Sequence, residues 1–305
     1  MIETNFKTLI QFLAHYKDEA ACLRHFEAIR FKDGDYCPHC AYGKIHRFKG
    51  GKRFRCAGCK KDFTLKTGTI FGESKIPLQK WFVAIYLLTT SPKGISSVQL
   101  AKQVGVTQKT AWFMDHRIRK AMGQDKDMLK GAVEMDETYV GGKEINKHAS
   151  KRTGKTKGRS IVSKTPVFGI LERNGKVVAH VVPNVRRNTL DSKIVAHVEK
   201  GTTIYTDELM SYSNLKDLYP HEMVRHSSGQ YVKGKAHTNG IESFWAVFKR
   251  GYKGVYHKMS KKHLQKYVDE FVYRWNEKGD FDKLFLDMVR NAAGTGKLGY
   301  KQLTA

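Results

Sequence analysis

AVEMDETYV at residues 132–140, PVFGILER-NG-KVVAHVVP at 166–183 and TTIYTDE at 202–208 are the stretches that decide how this chain folds. Each is rich in β-branched and aromatic residues, which suit a pleated, half-buried surface. The Asn174-Gly175 pair between two of them marks a hairpin with a type I′ turn. Working outward, 188–201 (NTLDSKIVAHVEKG) has the spacing of an amphipathic helix, 211–219 (SYSNLKDLY) that of a short one, and 221–227 (HEMVRHS) reads as a fifth strand. HTNGIESFWAVFKRGY at 237–252 opens another helix, and 260–278 forms a last one with Leu264, Tyr267, Val268, Phe271 and Trp275 facing inward.

The order is strand, hairpin strands, helix, strand, helix, strand, helix. Right-handed crossovers and short connections leave few ways to assemble it. The expected result is α/β: a mixed five-stranded sheet of the ribonuclease H-like kind over residues 131–280. A basic loop at 143–164, with eight Lys or Arg and one acid, is inserted into it.

Further toward the N-terminus lie Cys37-Pro-His-Cys40 and, after fifteen intervening residues, Cys56-Ala-Gly-Cys59. Two residues between paired thiolates let a tight turn aim both sulfurs at one tetrahedral ion, and the spacing between pairs is that of a zinc ribbon. Four thiolates leave no open position, so one structural Zn2+ is expected, with the ribbon over 31–68. Residues 44–61 hold eight Lys or Arg and no acid, a composition suited to phosphates. Residues 1–30 read as two amphipathic helices, the first with Leu9, Phe12, Leu13 and Tyr16 on one face, and Cys22 as a small buried hydrophobe. In 77–124, Ser96 or Ser97 and Thr107 are placed to cap two helices around Gly105, with small residues where the helices would cross. A helix-turn-helix fits, with Gln108 and Lys109 best placed for a groove; an ordinary helical hairpin fits the same pattern. Residues 281–305 are left as a C-terminal tail.

Fifty-five Lys and Arg against 29 Asp and Glu give a net charge of +26, which calls for a polyanionic partner, DNA above all. The longest strongly apolar run, 81–88, is far too short to span a bilayer, and the first residues lack a signal-peptide pattern. Two C-x-x-C pairs point to metal in a reducing compartment. The reading is a cytoplasmic, nucleoid-associated protein with no membrane partner.

In the expected sheet the first strand lies beside the fourth, so Asp136 and Asp207 share one sheet edge, and the helix beginning near residue 239 offers a third acid, Glu242. Three carboxylates can hold two Mg2+ (or Mn2+) ions, the arrangement phosphoryl transfer uses to position attacking and leaving oxygens. Glu134, Glu137 and Glu208 flank the aspartates as competitors, and Asn239, one turn before Glu242, competes for the third position. Lys249, two turns beyond Glu242, is placed to hold a phosphate near the metals. Arg250, with Arg152, Lys155, Lys157 and Arg159 of the basic loop, is placed for the DNA backbone.

The two cysteine knuckles, FTLKTGTIFGESKIPLQKWFVAIYLL (63–88), MDETYVGGK (135–143), IYTDE (204–208) and HTNGIESFWAVFKRGYKGVYH (237–257) together resemble the IS1595-family insertion-sequence transposases, the ISXO2-like group in particular. The resemblance runs from about residue 20 to 277. It implies a DDE-type catalytic domain, bacterial or archaeal origin, recognition of terminal inverted repeats, strand cleavage there, and joining of the freed 3′ ends to target DNA. Asp136 and Asp207 are the first two acids of that motif. Its third position varies among Asn, Glu and His with a lysine beyond; Glu242 with Lys249 is preferred here, and Asn239 also fits. Pairing two ends implies a homodimer or higher oligomer on DNA. Two other readings use the same features: a non-catalytic DNA-binding protein, and a nuclease on this fold that cuts without joining.

Overall fold

The computed structural model describes residues 6–124, 127–142, 146–152, 164–212, 215–225, 228, 232, 234, 236–277, 279 and 281–304. They fall into two compact units, Met1–Gly123 with Glu277–Ala305, and Gln124–Asn276. Lys155, Lys157 and Arg159 lie outside the described residues.

The first unit opens with α1 (Leu9–His15) and α2 (Glu19–Arg30), begun by Thr8 and Asp18, whose side chains accept the amides of Gln11 and Ala21. Of the apolar face expected on α1, Phe12 and Tyr16 are buried, but Leu9 and Leu13 are 40% and 42% exposed. Of the seven residues of α1, Phe12 is the buried one, packing 4.5 Å from Tyr86 and 5.1 Å from Phe285. Cys22 is fully buried among apolar groups, as expected. Next, β1 (Ile45–Arg47), β2 (Phe54–Cys56) and β3 (Asp62–Phe63) make a three-stranded antiparallel ribbon.

Helix α3 (Leu78–Thr90) buries eight side chains, from Leu78 to Thr89, and is the apolar hub of this unit. Pro77 supplies no cap, so the Glu19 carboxylate does, accepting the amides of Leu78 and Gln79 at 2.8 and 2.9 Å. Helices α4 (Ser97–Val104) and α5 (Gln108–Ala121) follow, capped by Ser96 and Thr107. They turn at Gly105, which takes the left-handed conformation (φ 67°, ψ 55°) and returns its N–H to Ala101.

The second unit contains β4 (Ala132–Val140), β5 (Thr165–Glu172), β6 (Val177–Val181), α6 (Arg187–His197), β7 (Thr203–Thr206), β8 (His221–Met223), α7 (Asn239–Gly251) and α8 (Leu264–Asn276). Its sheet order is β6-β5-β4-β7-β8, with β4, β5 and β6 antiparallel and β4, β7 and β8 parallel. That is the ribonuclease H-like arrangement. The strand period of two divides the core. Val133, Met135, Phe168 and Ile170 pack with Leu190 and Ile194 of α6, while Val167 and Leu171 pack with Ile241, Trp245 and Phe248 of α7 and Phe271 of α8.

Two local readings change. The hairpin is not a two-residue type I′ turn: only Asn174 takes positive φ (58°), and the Gly175 N–H bonds Glu172 O at 2.9 Å. Arg173 keeps its N–H on Ala132 O of β4, so the hairpin closes one residue earlier, with the Glu172 N–H on Lys176 O at 2.9 Å. The segment 211–219 forms 3-10 turns at Met210–Tyr212 and Leu215–Asp217 in place of an α-helix.

The C-terminal stretch read as a tail is structured and belongs to the first unit. Helices α9 (Phe281–Gly294) and α10 (Tyr300–Thr304) bury Phe285, Met288, Val289, Ala292 and Leu303. Asp282 accepts the Phe6 N–H through both carboxylate oxygens, and buried Arg117 holds the carbonyls of Ile70, Gly72 and Leu298. Amphipathic spacing of Leu284, Phe285, Met288, Val289 and Ala292 carries this packing.

Gly169 of β5 lies beneath Trp245, and a Cβ there would sit 2.6 Å from the indole. Gly169→Ala is expected to destabilise the fold by about 1–3 kcal/mol through overpacking, measured by denaturant unfolding; an unchanged midpoint would contradict the close approach.

Candidate active site

The four cysteine sulfurs lie within 4.8 Å of one another, with Cys37 and Cys59 3.7 Å apart and Cys40 and Cys56 3.6 Å apart. A tetrahedron with Zn–S bonds of about 2.3 Å has edges of about 3.8 Å, so the donor set fits zinc. Each knuckle closes in the same way. Ala41 and Lys60, directly after the second cysteine of each pair, take φ of 60° and 61° and return their N–H to Cys37 O and Cys56 O. Burial would raise the Cys56 thiol, but the amides of Cys59 and Gly58 on its sulfur, with the neighbouring Cys40 and Cys37 thiols, bring it down, while the same neighbours push Cys59 up, so the cluster favours charge on Cys56. Thiolates held by backbone donors are what a closed metal site requires.

The second cluster stands at one end of the large sheet. Strands β4 and β7 run parallel with Val133 opposite Ile204 and Glu134 opposite Tyr205. Continuing that register sets Asp136 level with Asp207, just beyond β7. Asp136, Asp207, Thr238, Glu242, Trp245, Ala246 and Lys249 line one cleft of about 370 Å3. Thus β4, the end of β7 and two positions of α7 two turns apart, Glu242 and Lys249, each deliver a polar group to the same space. Burial, with the neighbouring Asp207 charge, pushes the Asp136 carboxyl up to about 7, against the Glu137 N–H that bonds it at 2.8 Å.

Within the cleft the acids are not equivalent. Asp136, Glu137 and Asp207 carry oxygens within 4.8 Å of one another, a tight group that does not include Glu242. Glu242 faces the pair from α7 and accepts the Thr238 hydroxyl at 2.8 Å. Glu137 accepts the hydroxyl of buried Tyr212 at 2.7 Å, so its carboxylate is oriented from the α6 side of the sheet. Burial pushes Glu137 up to about 7 as well, and the charges of Asp207 and Asp136 add to it against the Tyr212 hydrogen bond. Asn239 is exposed at the start of α7 and is not among the cleft residues.

Glu134, named from sequence only as a competitor of Asp136, has a different place. It is 1% exposed and receives the amides of Gly240 and Ile241 at the start of α7. Its signal was parity: it stands two residues from Asp136, on the same face of the strand. Gln108 and Lys109 are exposed on the first turn of α5, Gln108 bonding Ser97 at 2.8 Å and Lys109 lying 5.1 Å over the Tyr300 ring. Arg152 is exposed and bonds Lys147 O; Arg250 is exposed outside the cleft lining.

A family profile described as an ISXO2-like transposase domain matches residues 128–276, and a transposase zinc-ribbon profile matches 17–62. An uncharacterized protein in transposable element ISH50 of Halobacterium salinarum is 31% identical over 261 residues, covering 81% of this chain and 87% of the relative. The chain belongs to the ISXO2-like transposase family. Among solved structures, the Mos1 strand transfer complex aligns at 10% identity and TM-score 0.28, covering 70% of this chain and 74% of that one. A pre-cleavage Mos1 transpososome aligns at 11% and 0.27, covering 70% and 75%. The ribonuclease H-like assignment rests on the strand order. No helix among the described residues is long and apolar enough to cross a membrane.

The donor set of the cleft fits hard divalent cations: carboxylate oxygens, clustered and half-buried, at a cost that a cation relieves. In magnesium-free buffer at pH 8, Asp136→Asn is expected to raise the melting temperature by at least about 2 °C, because one buried like charge is removed. It should also abolish most of the further rise that Mg2+ gives the parent. A lower melting temperature in both buffers would show that Asp136 is held by protein partners instead. For the ribbon, elemental analysis is expected to find one zinc per chain, lost together with thermal stability in Cys56→Ser; a zinc-free, fully stable parent would refute the site.

Proposed function

We propose that this transposase binds the terminal inverted repeats of its insertion sequence, cleaves DNA there and transfers the freed 3′ ends into target DNA. The supporting observation is the convergence of Asp136, Asp207, Glu242 and Lys249 on one open cleft. Asp136 and Asp207 from the sheet, with Glu242 from α7, would hold two Mg2+ or Mn2+ ions. Bound there, such ions polarise the phosphate, lower the pKa of the attacking hydroxyl and neutralise the departing alkoxide. The chain's own work is positioning. Lys249 stands two turns beyond Glu242, reaches the same cleft, and is placed to hold a non-bridging phosphate oxygen in line with the acids. The rims need only be basic, since phosphate contacts set register without reading sequence.

In this reading Gln108 and Lys109 of α5 meet the end sequence, with α4 and α5 acting as the helix-turn-helix. Arg152, Lys155, Lys157, Arg159 and Arg250 follow the DNA backbone. The zinc ribbon is structural and adds phosphate contacts from its basic hairpin. Two chains pair two ends, so the working form on DNA is a dimer or larger, in the nucleoid of a bacterial or archaeal cell.

The test is purified protein with cognate element-end DNA, a target plasmid and Mg2+. Joined product is expected from the parent, with more than about 100-fold loss in Asp136→Ala and Asp207→Ala while end binding persists. Cleavage without joining would identify a nuclease; end binding with no chemistry from the parent would identify a DNA-binding protein only. Glu242→Gln is expected to fail where Asn239→Ala works, and the reverse result would reassign the third ligand.

A further inference from the structure

Helix α7 starts without a side-chain cap of its own. Thr238, at the N-cap position, spends its hydroxyl on Glu242 at 2.8 Å, so the first amides of the helix need another acceptor. Glu134 of β4 is that acceptor. Its Oε2 takes the N–H of Gly240 at 2.7 Å and of Ile241 at 3.0 Å. Its Oε1 accepts Arg173 Nε at 2.9 Å and lies 3.1 Å from His237 Nδ1. Arg173 is fixed in turn, lying 3.9 Å over the Tyr205 ring and donating to His237 O at 3.0 Å. Both oxygens of Glu134 are therefore engaged, and the residue is not in the cleft lining.

The consequence is geometric. Glu134 and Asp136 are two apart on one strand and share its face. One anchors the helix that carries Glu242; the other is an acid that Glu242 faces across the cleft. Gly240 makes the approach possible, because a Cβ there would sit 2.8 Å from both Glu134 Oε2 and a Leu171 methyl. We infer that Glu134 is a positioning residue for the metal centre. It touches neither metal nor DNA, and through the first turn of α7 it sets where Glu242 stands relative to Asp136 and Asp207. The inference rests on the reading of Glu242 as a metal ligand given above.

The experiment is Mn2+ titration of full-length, zinc-loaded protein, followed by loss of the free-ion EPR signal, with melting temperatures recorded alongside. Glu134→Ala is expected to weaken Mn2+ binding about 10- to 100-fold, the range for groups that orient a ligand. Glu242→Gln is expected to weaken it too. The double variant should bind no more than about 2-fold more weakly than Glu242→Gln alone, since nothing is left to position. Glu134→Gln, which keeps one carbonyl oxygen for the helix amides, should retain most of the affinity. Gly240→Ala removes no carboxylate and presses the start of α7 away from Glu134, so it should reproduce the loss even where Glu134→Ala folds poorly. Losses that multiply in the double variant would overturn the inference, as would lowered melting with parent-like Mn2+ binding in Glu134→Ala and Gly240→Ala. If Glu242→Gln binds Mn2+ like the parent, the assignment of Glu242 falls and takes this inference with it. Weak binding in Glu242→Gln beside parent-like Glu134→Ala overturns this inference alone.

Discussion

A helix that begins inside a protein leaves its first amides without partners, and the second unit meets that requirement with the buried carboxylate of Glu134. The choice carries a liability, because an unpaired buried carboxylate costs several kcal/mol. Here the charge is met by the positive end of α7, by Arg173 and by two backbone amides, so the desolvated ion is surrounded by donors. The first unit uses the same device, with Glu19 accepting the amides at the start of α3 because Pro77 cannot. In both units a carboxylate from a distant element does what a local Ser or Asp usually does. The helix is thereby tied to another part of the fold, as a local cap would not tie it.

The cleft itself runs against stability. Asp136 and Glu137 both carry raised pKa values, from burial first and then from mutual repulsion with Asp207. The parallel pairing of β4 and β7 creates this cost by setting the two aspartates level at one sheet end. A fold selected for stability alone would break such a cluster; one that must grip cations needs it. The surrounding structure bears the load. Both faces of the sheet are packed, and the strand carrying Asp136 is the central one, paired on each side.

Much of this was legible in the sequence because the signals were local. The β-branched and aromatic residues of β4 and β5, the cysteine spacing, and the caps at Ser96 and Thr107 each depend on residues a few positions apart, and the structure follows them. That Asp136, Asp207 and Glu242 come to one cleft was legible one step further, through strand order. What escaped depended on partners far along the chain. Glu134 read as a rival to Asp136 because nothing nearby shows that its carboxylate meets residues 240 and 241. The packing of Phe285 with Phe6, Phe12 and Tyr16 spans nearly the whole chain, and the exposure of Leu9 and Leu13 follows from how few rings α1 can offer. The turn at Asn174 shifted because Arg173 stays bonded to β4, a tertiary contact that turn propensity does not contain.

The short run Glu134-Met-Asp-Glu137 therefore holds three acids with three fates, separated by strand parity and partner. Even positions face α7, where one acid anchors the helix and the next lines the cleft; Glu137 is held on the other side by Tyr212. Where Glu242 stands is then a packing result more than an electrostatic one. Gly169 admits the Trp245 ring and Gly240 admits the Glu134 carboxylate, each at distances a Cβ would close. With contact at both points the helix has little freedom to rise from the sheet. The third acid is brought toward two aspartates that repel it by apolar burial of Ile241, Phe244, Trp245 and Phe248 on the same helix.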